Sequence, residues 1–255
     1  MKKYLKERYL NKYKTTNNFN KFFKEQEEIE AFAPNGNVYN VVDTMSEEAH
    51  FIMRTKTQYF IEQAFKAMKI DLNDANVAED LSSGNISTAG RLAKVWCGGS
   101  LDDDRELGSG RWSKKPRIAS FPNEGEYNKT PITKRVDIVS NCSHHFITFS
   151  TLARPDSYAV ISYIPEKEVI GISKLQRLAD WVGQRFFLQE DLTNMLYKEI
   201  SEVAKTDSVY VGIFNAVHGC EQFRGAKSKD GAFTSECYGG AFKDPELRKS
   251  VKTQG

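Results

Sequence analysis

The C-terminal half of this 255-residue chain predicts an α+β fold. Three observations carry the assignment. Residues 135–140 and 158–165 read as strands, two amphipathic helical segments follow, and 209–217 and 233–240 read as two more strands. The order is strand, strand, helix, helix, strand, strand.

Each element has its own signal. Arg135 to Ser140 alternates between apolar and polar residues, and Tyr158 to Pro165 is a second strand-like run. Ser173 to Gly183 places Leu175, Leu178, Ala179 and Val182 on one helical face. Glu190 to Lys205 repeats this with Leu192, Leu196, Ile200 and Val203. Upstream, Thr44-Met-Ser-Glu47 has capping-box spacing and predicts a helix to about Lys69. A second helix is expected from Ser87 to Trp96, with Arg91 and Lys94 on neighbouring parts of one face. Between these regions, Gly98 to Gly125 is rich in glycine, charge and proline, and is expected to be a long surface loop. Its Asp102-Asp103-Asp104 run lacks ligand spacing and reads as a solvated turn.

The N-terminus is different in character. Met1 to Lys14 carries six basic residues and one acidic residue, interleaved with Tyr4, Leu5, Tyr9, Leu10 and Tyr13. It reads either as a polyanion- or partner-binding helix or as a mobile or oligomer-packing arm, and the second reading is preferred. Thr15 to Asn40 is polar, is broken by Pro34-Asn-Gly36, and reads as a linker.

Composition sets bounds on function. At 40% hydrophobic residues the chain can bury a full core, and its net charge of +2 excludes a strongly basic nucleic-acid binder as the default. An anion site must therefore come from local clusters of Lys and Arg. No apolar run approaches the ~20 residues of a membrane span, and the lysine-rich start leads into no signal-peptide core. The four cysteines do not resemble a secreted disulfide framework, so a cytoplasmic, reducing location is expected.

The chemistry concentrates in Cys142-Ser143-His144-His145 and His218-Gly219-Cys220. Cys142 and His145 have the close spacing of two metal ligands, and Cys220 can supply a third from a distant segment. A Cys₂His set is one ligand short of a closed structural zinc site, and water in the open corner would have its pKa lowered to about 7. The alternative is a structural site completed by Cys97, Cys237 or a histidine.

The flanking residues extend this pattern. Asn141-Cys-Ser-His-His-Phe-Ile-Thr-Phe149 resembles the C-E-H-H-L-L-P-F signature of the GTP cyclohydrolase I family. Tyr163-Ile-Pro165 and Val169-Ile-Gly-Ile-Ser-Lys-Leu-Gln-Arg177 are similar to that family's Y-I-P and V-I-G-L-S-K-x-x-R. Arg185-Phe-Phe-Leu-Gln-Glu-Asp-Leu-Thr193 resembles R-x-x-x-Q-E-x-L-T, and His218-Gly-Cys-Glu-Gln-Phe-Arg-Gly225 resembles H-x-C-x-x-x-R-G. Phe233-Thr-Ser235 is similar to the closing T-S segment, and Thr88-Ala-Gly-Arg-Leu-Ala-Lys94 is a weaker echo of T-P-x-R-x-A-K. Order and spacing hold from about Pro131 to Leu247.

The resemblance implies a T-fold, an antiparallel sheet with helices on one face, whose sheets join across subunits around a tunnel. Along the chain these patterns divide the sequence into three regions: an N-terminal extension, arm and linker at 1–43, a helical region and loop at 44–125, and a catalytic domain at 126–250. The resemblance also implies conversion of GTP and water to 7,8-dihydroneopterin triphosphate and formate, with Zn²⁺ held by Cys142, His145 and Cys220. By the same resemblance His218 protonates the purine, and His144 assists ribose ring opening and later proton transfers or supports the ligands. Glu190, with Gln189 beside it, faces guanine, although an acidic residue in a first helical turn has the same appearance without any ligand. Ser173 would sit near the ribose, with Lys174, Arg177 and Arg224 on the triphosphate, and Arg91 and Lys94 matching less securely. The family builds each site from more than one subunit, so a homo-oligomer, typically a decamer, is implied.

Several residues depart from the family pattern. Ser143 replaces the glutamate of C-E-H-H, Thr148 and Ala89 replace prolines, and Gly219 and Glu221 replace apolar neighbours of the second cysteine. A competing reading is a non-catalytic T-fold protein that binds a purine or pterin as a regulator. Retention of the ligands, both histidines and Glu190 argues against it. A T-fold nitrile reductase or pterin synthase would need a different cysteine motif or three histidine ligands, and neither is found.

Overall fold

The structure, a computed structural model, describes residues 1–15, 17–32, 45–79, 85–100, 107–127, 129–224, 228 and 230–253. The chain divides into two compact units, Met1–Lys114 and Lys115–Gly255.

The first unit is helical. Helix α1 (Lys2–Tyr13) is packed and is not the mobile arm expected from its charge. Leu5 and Tyr9, one turn apart, are both buried against Phe19, Phe23 and Ile52, while the lysines stay on the solvent side. Tyr4 donates to Glu62 at 3.0 Å, and Arg8 pairs with Glu79. The expected linker contains helix α2 (Phe19–Phe32). There the aromatic pair Phe19 and Phe23, at i and i+4, outweighs the polar composition. The Pro34-Asn-Gly36 break lies outside the described residues.

Helix α3 (Glu47–Ala67) starts two residues later than the capping-box spacing suggests. Thr44 lies outside the described residues, and Ser46 is the cap, accepting from the Ala49 amide at 3.2 Å. The acid that closes the box comes from another helix: Glu25 of α2 takes the Ser46 amide at 2.8 Å and its hydroxyl at 3.0 Å. Helix α4 (Thr88–Cys97) begins where expected, with Ser87 accepting from the Gly90 amide. The expected surface loop after it is partly core. Residues 109–111 form a 3₁₀ turn, and Trp112 is buried with Met45, Ala49, Met53 and Cys97. Asp102-Asp103-Asp104 lies outside the described residues. Among the described residues, no helix is long and apolar enough to cross a membrane.

The second unit holds the sheet. Its elements are β1 (Ser120–Pro122), β2 (Ile132–Val136), β3 (Val139–Cys142), β4 (Thr148–Ser150), β5 (Tyr158–Tyr163) and β6 (Glu168–Ile170). These are followed by α5 (Ile172–Gly183), β7 (Phe186–Phe187), α6 (Gln189–Ala204), β8 (Val209–His218), α7 (Gly219–Phe223), β9 (Phe233–Tyr238) and α8 (Pro245–Thr253). The predicted order is present as β2, β5, α5, α6, β8, β9, and the four strands pair antiparallel in that sequence. Val160 and Tyr210 face Phe242 and Val251 of the C-terminal segment. Strand alternation turns Ile161, Val211 and Ile213, all fully buried, to the other face. Leu175, Leu178, Leu192, Leu196 and Ile200 of α5 and α6 are fully buried as well. Helix α8 goes beyond the order expected from periodicity.

The first expected strand, 135–140, is the end of one strand and the start of another. Val136 still pairs with Ala159, whereas Val139 pairs with Ser150. At the break the ladder is replaced by side chains. Gln176 Oε1 accepts from the Asp137 amide and Thr151 Oγ1 from the Ile138 amide, each at 2.9 Å. This jog starts the β3–β4 hairpin.

Strand β8 links both parts. Residues Val209 to Phe214 pair with β5, while Val217 and His218 pair with β4. On its other side β8 pairs with β9, and the register shifts between Ile213↔Ser235 and Ala216↔Phe233. Three steps on β8 match two on β9, which is a bulge. Asn215 sits inside it with φ 53°, a conformation asparagine tolerates, and its side-chain amide donates to the Asp156 carbonyl at 3.0 Å.

Candidate active site

The ends of β3 and β8 bring the two sequence motifs together. Cys142 closes β3, its amide donating to the Ile147 carbonyl and its carbonyl accepting from the Phe146 amide. That tight loop needs a left-handed residue, and Phe146 supplies it with φ 56°, its ring packed on Phe186 at 4.5 Å. Ser143 is tied to the neighbouring strand through its amide and the Phe187 carbonyl. Thr148, which stands where the family pattern has proline, donates its hydroxyl to Asn141 at 2.9 Å.

Cys220 enters from α7, directly after β8. Gly219 allows the close approach: a Cβ there would lie 2.7 Å from Ile147 and 3.1 Å from the Thr148 carbonyl. Cys142, His145 and Cys220 each present a ligand atom, and these atoms lie within 4.8 Å of one another. Two sulfurs and one imidazole nitrogen at that separation suit a single ion bonded at about 2.0–2.3 Å, as zinc is. Burial and the neighbouring Cys142 push the Cys220 thiol up, while the backbone amides of Cys220 and Glu221 act in the opposite direction. Arg224, at the end of α7, contacts His145 Nε2.

This cluster forms one wall of a pocket of about 270 Å³. His144, His218, Gln189 and Glu190 also line it, together with Leu188, Glu221 and Phe233. His218 is held on three sides. Its ring stacks on Phe149, meets Phe233 edge-on with centroids 5.7 Å apart, and its Nε2 lies 2.8 Å from Gln189 Oε1. Burial lowers its pKa, partly offset by Glu221 and then Glu190. His144 is exposed and meets His145 edge-on, with centroids 5.7 Å apart.

Seven of the expected residues therefore meet at one pocket, and Arg224 touches one of them. Ser173 and Arg177 are exposed on α5, Lys174 is half-buried there, and none of the three lines the pocket. Arg91 and Lys94 belong to α4 of the first unit. Sequence reasoning did not single out Phe149, Phe233, Thr193 or Ser235 as partners of His218 and Gln189. Only strand pairing, Phe149 opposite His218, discloses the first of these.

The comparisons agree with this geometry. A family profile described as GTP cyclohydrolase I matches residues 75–254. A protein of Yersinia enterocolitica named GTP cyclohydrolase 1 is 29% identical over 194 residues, covering 76% of this chain and 78% of its own length. One of the same name from Blochmanniella pennsylvanica is 34% identical over 158 residues, covering 62% and 65%. Another, from Edwardsiella ictaluri, is 28% identical over 191 residues, covering 74% and 77%. With the profile spanning both the Cys142–His145 loop and the β8–α7 junction, the chain belongs to the GTP cyclohydrolase I family.

Proposed function

We propose that this protein converts GTP and water to 7,8-dihydroneopterin triphosphate and formate. The observation that carries the reading is the Cys142–His145–Cys220 cluster on the wall of a pocket that also holds two histidines and Glu190. Those three side chains would hold zinc, which when bound supplies the Lewis acidity that makes water a nucleophile near neutral pH.

The chain's own groups meet the remaining demands. His218, clamped between aromatic rings, would take up a proton and pass it to the purine, and His144 would move protons at the ribose. Each such contribution is worth roughly 10²- to 10⁴-fold in rate. Glu190 offers two acceptor oxygens to the N–H groups of guanine. Arg224, in contact with His145, suits a phosphate, and by family resemblance Lys174 and Arg177, with Ser173 near the ribose, would complete the triphosphate site.

The α5 residues do not line this pocket, so a second copy is the natural source of further contacts. Among the described residues, β2 and β9 each have one strand neighbour, leaving edges that another copy can extend. We therefore propose a homo-oligomer, a decamer by family resemblance, in a reducing cytoplasm that keeps the thiols available.

The test is incubation of the purified, metal-analysed protein with GTP, followed by oxidation and measurement of pterin fluorescence. Fluorescent product with formate release supports the proposal. GTP binding with no product would instead support a non-catalytic purine-binding protein.

A further inference from the structure

Gln189, the first residue of α6, is 1% exposed, and its hydrogen-bond partners fix which way its amide points. One end of the amide lies 3.2 Å from the Phe233 carbonyl and 3.0 Å from Ser235 Oγ. A carbonyl oxygen only accepts, so that end must be the NH₂ group.

Ser235 gives the same answer. The Thr193 hydroxyl has one hydrogen and donates it to the Gln189 main-chain carbonyl at 2.8 Å. In the 2.7 Å contact between Thr193 and Ser235, Ser235 is therefore the donor, and it faces Gln189 with lone pairs. Reversing the amide would set an acceptor against two acceptors, at a cost of about 1–3 kcal/mol for each unpaired buried group. The other end, Oε1, consequently faces His218 Nε2 at 2.8 Å, and that nitrogen must carry a hydrogen.

We infer that Gln189 is a positioning residue: with Thr193 and Ser235 behind it, it holds His218 as the Nε2–H tautomer and leaves Nδ1 as the only ring nitrogen open to a ligand. The stacked Phe149 and edge-on Phe233 keep the ring from turning over. Both amide hydrogens of Gln189 are already committed, so its neighbour Glu190, exposed in the same pocket, is the residue that meets the base. The role of Nδ1 in proton exchange rests on the proposed reaction; the tautomer does not.

The test uses the full-length, zinc-loaded protein labelled with ¹⁵N-histidine. Long-range ¹H–¹⁵N spectra are recorded, with a His218→Gln variant assigning one of the chain's four histidines. The wild type is expected to show neutral His218 protonated at Nε2. Gln189→Met keeps the bulk of the side chain without the amide, and the Nδ1–H form should then become populated. With GTP, kcat should fall about tenfold or more while KM stays within about threefold.

A wild-type His218 protonated at Nδ1 overturns the inference, and that spectrum decides the matter alone if the variant does not fold. An unchanged tautomer in Gln189→Met also overturns it. So does a raised KM at unchanged kcat, which would make Gln189 a base contact. A wild type inactive on GTP would sink the proposed reaction and leave the tautomer result standing.

Discussion

The imidazole of His218 lies parallel to the ring of Phe149, with centroids 4.7 Å apart and 5° between the planes. The two residues face each other across the β4–β8 ladder, so the stack is a consequence of strand register. Phe149→Leu should lower stability by about 1–3 kcal/mol, through lost packing and the lost ring pair. It should also reduce turnover several-fold at full zinc content. Thermal unfolding, metal analysis and kcat measured on one preparation check this; zinc lost in step with activity would move the effect to the ligand cluster.

Cys220→Ser should lose bound zinc and activity while keeping most of the fold, because the sulfur sits at the start of a five-residue helix outside the main sheet. Metal analysis of wild type should give one zinc per chain. Serine is a poor substitute for the soft thiolate that favours zinc over magnesium. A fully metallated variant would show that Cys220 is not the third ligand.

Glu190→Gln preserves shape but turns one acceptor oxygen into a donor facing the N–H groups of guanine. Leaving buried polar groups unpaired costs about 1–3 kcal/mol, so GTP binding should weaken at least several-fold. Competition between GTP and ATP provides the measurement. Unchanged affinity and unchanged preference would leave Glu190 as a helix-start residue only.

His50 predicts an acid-sensitive first unit. It is 1% exposed, its Nε2 lies 2.6 Å from the Cys97 carbonyl, and its Nδ1 has no hydrogen-bond partner. Burial holds its pKa below the ordinary value of 6.5. The unfolded chain therefore takes up the proton first as pH falls, and stability present above about pH 6.5 is lost below it. His50→Gln keeps a donor for the Cys97 carbonyl and should flatten the pH dependence of urea unfolding between pH 7 and 5, a range set by the usual histidine pKa of about 6.5. Parallel curves for the two proteins would show that His50 does not control it.

Much of the catalytic unit was legible because its signals are local. Helical spacing of Leu175, Leu178 and Val182 names a buried face, and paired Cys and His spacing names ligands. The jog at Asp137 and Ile138 was not legible, since alternation runs straight through a point where Gln176 and Thr151 replace the ladder. The packing of α1, the helix α2 and the cap of α3 were not legible for a related reason. Lysines dominate the composition of α1, yet Leu5 and Tyr9 decide its packing, and the acid that caps α3 lies twenty-one residues upstream at Glu25. In the pocket, the ligand set follows from motif spacing, whereas the bonding of Gln189 depends on β9 returning beside β8. No local pattern encodes that.

The extra residue at Asn215 sets how far along β4 everything beyond it falls. Ile213 and Ala216, opposite Ser235 and Phe233, face the same side although they are three residues apart, so removing Asn215 would keep the alternation but draw every later residue back along the ladder by one position. Gly219 would take the place that His218 holds over Phe149, and Cys220 would be drawn back along the ladder with it. The chemistry of this protein thus depends on a count as well as on its functional groups. Deleting Asn215 removes no group assigned to the pocket, yet it would misplace His218 and Cys220 together, which no single substitution among the ligands or histidines does.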